Sequence, residues 1–159
     1  MVSILRSALA AVAACAVLTP VQAGAQRDAG VVRAGELWFE ELPAQHLDAG
    51  RCGLFLWTRQ AEPVFVLVAY DVPDSAYVRA NGRERMLRRT AFEGERVHGQ
   101  FERQTFSDGR LSLEVDVQFD LERPIRDGAV VQEGVIRAVD EGGWQTVIPV
   151  GGLVACQVA

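Results

Sequence analysis

The sequence predicts an all-β fold, a small antiparallel barrel or sandwich of about eight or nine strands. Three observations carry this prediction. Runs rich in branched and aromatic residues recur at short spacing, Asn-Gly, Asp-Gly and Gly-Gly turn signals separate them, and beyond the N-terminal segment no stretch holds a helical period. At 159 residues the chain is long enough for one real core and too short for two.

The N-terminal segment is set apart. MVSILRSALAAVAACAVLTPVQAGAQ has one charge, Arg6, an apolar run from Ala8 to Leu18, Pro20, and Ala23-Gly24-Ala25. This is the layout of a secretory signal over residues 1–25, cut before Gln26. Val12-Ala13-Ala14-Cys15 also reads as a lipoprotein cleavage site, which would leave a lipid-modified Cys15 at the mature terminus. The apolar run is too short to span a bilayer and nothing later rivals it, so no transmembrane segment is expected. The expected location is periplasmic or secreted.

Residues 26–35 are small and polar, and read as a flexible lead-in to a single β domain over residues 36–159. ELWFEEL (36–42) has mixed periodicity and suits a strand or a short helix before Pro43. RCGLFLWT (51–58) and PVFVLVAY (63–70) are two β-rich runs joined by RQAE. In AYVRANGRERML (76–87), Asn81-Gly82 tolerates positive φ at both central positions of a two-residue hairpin loop. Such a loop sets Arg79 opposite Glu84 and Tyr77 opposite Met86.

RVHGQFERQTF (96–106) reads as one strand, joined through Ser107-Asp108-Gly109-Arg110 to LSLEVDVQFDL. The latter alternates strictly. Leu111, Leu113, Val115, Val117, Phe119 and Leu121 take one face and Ser112, Glu114, Asp116, Gln118 and Asp120 the other, as in a sheet packed on one side and wet on the other. AVVQEGVIRAV, a turn at Glu141-Gly142-Gly143, and WQTVIPVGGLVACQV complete the chain. Gly151-Gly152 reads as a bulge; no helix follows either glycine pair, so neither is a phosphate loop.

Composition narrows the chemistry. Loss of residues 1–25 removes Arg6 and no acid, leaving 15 arginines against 21 acidic residues, a charge of about -6. A net acidic surface argues against nucleic acid as a partner. Every basic residue is arginine, which excludes a Schiff-base lysine and a P-loop lysine. If Cys15 leaves with the signal, Cys52 and Cys156 remain, an even number in an oxidising compartment, and the expected outcome is a disulfide. The two histidines, His46 and His98, could join these cysteines in a zinc site, but the spacings fit no compact zinc motif, so no metal and no cofactor are expected. None of Ser75, Ser107 and Ser112 sits in a nucleophile elbow, and no catalytic residue is assigned.

One local feature departs from the acidic average. Arg79, Arg83, Arg85, Arg88 and Arg89 surround the Asn-Gly hairpin beside Tyr77, a composition found at recognition patches, and also one that protects an exposed sheet edge. These six residues form the candidate binding patch.

The stretches CGLFLWTR and GGWQTVIPVGGLVACQ resemble a group of uncharacterised small exported proteins of Gram-negative, alphaproteobacterial-type bacteria. A second resemblance is to the C-type lysozyme inhibitor family, through Cys52, the pattern Ala76, Val78, Asn81, Gly82, Leu87, and Cys156. That resemblance implies an eight-stranded periplasmic or lipid-anchored barrel. The family's inhibitory loop, with serine, glycine and tyrosine, has no counterpart: FEGERVHGQF (92–101) lacks the serine and tyrosine, and no inhibitory residue is carried over. The expectation is a non-enzymatic β-domain binding an envelope protein or anionic glycan. The alternatives are lysozyme inhibition, and a hydrolase or redox enzyme using His98 or Cys52.

Overall fold

The computed structural model describes residues 31–34 and 37–159. The expected signal, with Cys15, and residues 26–30 and 35 of the expected lead-in lie outside the described residues. Ten strands follow in order: β1 (Val31–Ala34), β2 (Leu37–Glu40), β3 (Cys52–Thr58), β4 (Phe65–Tyr70), β5 (Ser75–Ala80), β6 (Arg83–Val97), β7 (Gln100–Ser107), β8 (Leu111–Ile125), β9 (Gly128–Asp140) and β10 (Gln145–Cys156). From β3 to β10 each strand pairs antiparallel with the next, and β10 returns to pair with β3. The fold is a closed eight-stranded up-and-down barrel, with the β1–β2 ribbon docked on the part of β5 that β4 leaves unpaired.

Turn chemistry explains most of the meander. Asn81 and Gly82 have φ of 51° and 73°, and the observed register sets Arg79 opposite Glu84 and Tyr77 opposite Met86. Asn81 also anchors β2: its side-chain oxygen accepts from the Trp38 amide at 3.0 Å. At the β7–β8 turn Asp108 accepts from the amides of Arg110 and Leu111, ahead of Gly109 at φ 85°. At the β9–β10 turn the Asp140 carboxylate accepts from Gly142 and Trp144.

The lumen is the core. Leu54, Leu56, Leu87, Phe106, Leu113 and Ile136 are among the fully buried side chains that fill it, one from each alternate position of their strands. The opposite face of β8 carries ion pairs, Glu114 to Arg137 and Asp116 to Arg103, both at 3.3 Å. On this wall the lumen face is apolar and the outer face charged, the reverse of the alternation in an outer-membrane barrel strand. No helix among the described residues is long and apolar enough to cross a membrane.

The seam between β3 and β10 joins the ends of the barrel. It runs from Thr58 opposite Val150 to Cys52 opposite Cys156, and those two cysteines are disulfide-bonded as the parity argument expected. Their sequence separation of 104 residues makes the bond worth at most about 4–5 kcal/mol in the chain-entropy account. A Cβ on Gly152 would collide with the Phe55 carbonyl oxygen, and the β9–β10 register shifts between Val150 and Gly152, so the expected bulge is present there.

Three expectations need correction. The lead-in is not wholly irregular, because the β-branched pair Val31-Val32 starts β1, which pairs with β2. RVHGQFERQTF is not one strand: it turns at His98-Gly99, with φ of 48° and 82°, so that the first part ends β6 and the rest is β7. Leu121 does not line the core but is 52% exposed. β8 pairs with β7 only as far as Asp116 and its register to β9 shifts after Gln118, so the alternation established upstream no longer faces the lumen by Leu121.

Substitution separates the two halves of β8. Leu113→Ala is expected to lower the unfolding free energy by about 2–5 kcal/mol, and Leu121→Ala by less than about 1 kcal/mol, as for an exposed position. Urea denaturation of both variants measures this, and equal losses would contradict the register.

Candidate functional site

Two neighbouring features at one end of the barrel hold most of the chemistry. The first is the seam end with the hairpin that crosses to it. β6 carries register shifts between Arg89 and Ala91 and between Glu93 and Arg96, and the second includes Gly94 at φ 84°. These irregularities bend a long strand. β6 and β7 stand opposite β3 and β10 around the ring, yet their turn reaches the far side. Gln100 donates to the Ala69 carbonyl of β4 at 3.3 Å, a Cβ on Gly99 would press on Asp71, and a ring nitrogen of His98 lies within 4.8 Å of both the Cys52 and Cys156 sulfurs. The hairpin therefore closes this end of the barrel.

Arg89 anchors the crossing. Its side chain is 5% exposed and donates to Asp74 at 2.7 Å and to Gln100 at 3.3 Å, and its guanidinium lies over the rings of Phe101 and Phe106 at 5.4 and 5.6 Å. Burial pulls its pKa below the ordinary arginine value, against the opposing pull of Asp74. Its Nε and both amide atoms of the fully buried Gln104 have no hydrogen-bond partner among the described residues.

The second feature is a groove on the outer wall. Leu42 joins Phe65 and Val68, flanked by Phe55, Trp57, Tyr70 and Tyr77, in an apolar cluster outside the lumen. The segment between β2 and β3 lies across this wall and is tied down at Leu42, whose amide donates to the Phe65 carbonyl at 2.8 Å. Between that segment and β4–β5 runs a groove of about 350 Å³ walled by His46, Asp48, Arg51, Tyr70 and Tyr77. The tyrosine rings meet edge to face at 5.7 Å, and the Tyr70 hydroxyl donates to the Gln45 side-chain oxygen at 3.0 Å. Cys52, whose amide donates to Asp71 at 3.1 Å, links the groove to the seam end.

The structure divides the six patch residues. On β6 the two-residue period puts Arg83, Arg85 and Arg89 on the face of buried Leu87 and Arg88 on the outer face, while Arg79 and Tyr77 face outward from β5. Arg85 is paired with Asp108 at 2.9 Å, Arg79 with Glu40 at 3.5 Å and Arg89 with Asp74. Arg83 and Arg88 are exposed and have no acidic partner among the described residues. Arg88 stands opposite Ser75, which stands opposite Tyr70, so one outward row joins the free arginine to the groove.

Reasoning from the sequence missed the groove altogether. His46, Asp48 and Arg51 lie in an irregular segment, and only the tertiary path brings them beside the tyrosines. It weighed His98 with both cysteines for zinc and set the group aside on spacing, where pairing across the barrel leaves no trace. The chain matches no known family model, no curated protein and no solved structure.

Tyr70 offers a direct check on the groove. Burial first, then the neighbouring Tyr77 and Asp48, push its phenol above the ordinary tyrosine value. The neutral form is thus favoured on folding, a contribution fully present below the unfolded-state value near pH 10 and lost as pH rises through the folded one. The chain has two tyrosines. An absorbance titration at high pH should show a late-ionising step that disappears in Tyr70→Phe, and a wild-type curve identical to that of a free tyrosine would contradict the placement.

Proposed function

We propose that this protein is a non-catalytic binding module of the bacterial cell envelope, and that the Tyr70–Tyr77 groove with the outward row to Arg88 receives an acidic glycan. The observation that carries this reading is the lining of the groove: two tyrosine faces suited to sugar rings, with Arg51, His46 and Arg88 as donors to carboxylates, in a chain whose net charge is -5. The disulfide supports an exported, oxidising location. It also engages the thiol of Cys52, which supports a binding role for the protein over thiol catalysis.

The test is a calorimetric titration with soluble peptidoglycan fragments. Binding is expected to weaken about 5-fold or more in Arg88→Ala and in Tyr77→Ala, and to fall as salt rises. Binding unaffected by both substitutions, or none at millimolar ligand, would overturn the assignment.

A second reading, inhibition of a C-type lysozyme, is favoured by one observation, the closed eight-stranded barrel that the family resemblance implies. A lysis assay with added protein tests it; undiminished lysis at a molar excess rules it out.

A further inference from the structure

The seam end holds a constellation that the glycan-binding reading does not use. Two sulfurs and an imidazole nitrogen lie within 4.8 Å of one another. Cys52 and Cys156 are partly exposed and His98 is exposed, so the group is reachable from solvent. Of the four residues weighed for zinc from spacing, the fold assembles these three and leaves His46 in the groove.

Two features show that His98 is not there by default. The first is its backbone. Among the described residues three other than glycine have positive φ: Asn81, Asp127 and His98. Asn, Asp and His are all enriched in the left-handed region, but a two-residue hairpin loop most often takes Asn or Asp before its glycine. Histidine stands at the turn that brings a ring nitrogen within 4.8 Å of both sulfurs, whereas the Asp127 turn meets Cys156 through its backbone carbonyl at 2.8 Å. The second is the path of the chain, since the β6–β7 hairpin crosses the barrel end, held by Arg89 and Gln100, to bring that turn to the opposite seam.

We infer that Cys52, Cys156 and His98 form a redox-gated site for a soft monovalent cation, Cu(I), closed while the disulfide stands and opened by its reduction. A dithiol reductant transfers two electrons and two protons to the disulfide and is itself oxidised to a disulfide; the S–S bond breaks and two thiols form. Copper binding then expels the two thiol protons as two thiolate–copper bonds and one imidazole–copper bond are made. Thiolates and imidazole are the ligands a soft d10 ion selects. The cysteines are a directly opposed pair with Cα atoms 4.0 Å apart, so small rotations of the side chains separate the sulfurs to span a metal without moving the seam. Three ligands satisfy Cu(I), whereas structural zinc takes four.

The experiment is a Cu(I) competition titration against a chromophoric chelator, using the mature protein oxidised and after phosphine reduction, with circular dichroism to follow the fold. The reduced protein is expected to keep its β spectrum and take one equivalent of Cu(I), with two sulfur and one nitrogen neighbours by X-ray absorption. The oxidised protein should take none at the same chelator concentration. His98→Asn, which preserves the turn, should weaken binding at least about 10-fold and remove the nitrogen neighbour; Cys156→Ser should abolish stoichiometric binding. Equal affinity in His98→Asn, equal binding by oxidised protein, loss of the barrel on reduction, or uptake of Zn(II) but not Cu(I) would each overturn the proposal.

Discussion

The pairing of the first barrel strand with the last is the constraint on which the rest depends. Every other contact between neighbouring barrel strands is made across a short connection, so its closure entropy is small. The β3–β10 ladder alone must bring together residues 104 apart, and until it forms both strands are open edges over an unsealed lumen. Three features concentrate on it: the in-register disulfide, the close approach of Gly152 to the Phe55 carbonyl, and the buried leucines of β3 that reach the common core.

The candidate chemistry is a product of that closure. His98, Asp71, Cys52 and Cys156 come from four separate places in the chain and meet only because the barrel is shut and the β6–β7 hairpin lies across its end. The groove on the outer wall has the same origin. Tyr70 ends β4 beside the start of the seam, and the segment from Glu41 to Arg51 must pass along this wall to deliver Cys52 to it. A scaffold whose lumen is filled by apolar side chains leaves function to its rims and outer surface, and both candidate sites lie there.

What could be read from the sequence followed local rules. Asn81-Gly82 specified a hairpin down to its register because two positive φ values admit few other residues. The alternation of β8 exposed the core face as far as the strand stays paired on both sides, and cysteine parity, taken with the expected export signal, pointed to the bond between 52 and 156. What escaped was non-local. His98 stands where such a loop more often has Asn or Asp before the glycine, so its turn escaped notice. The arginines looked like one patch because sequence proximity ignores the alternation of faces, which sends Arg88 outward and Arg89 into the barrel end. Leu121 kept its place in an alternating pattern after the pairing that gives the pattern meaning had stopped.

Hydrogen exchange of the seam amides tests the central claim most directly. With the disulfide intact, the amides of Leu54–Leu56 and Leu153–Ala155 should be among the slowest to exchange and should share one protection level, as members of a single closing unit. After mild reduction the two stretches should fall together to a lower but still shared protection level, well above that of the exposed turns, while the β8–β9 amides keep theirs. Fast exchange along β3 and β10 in the oxidised protein, or protection of one strand without the other, would contradict a barrel closed at this seam.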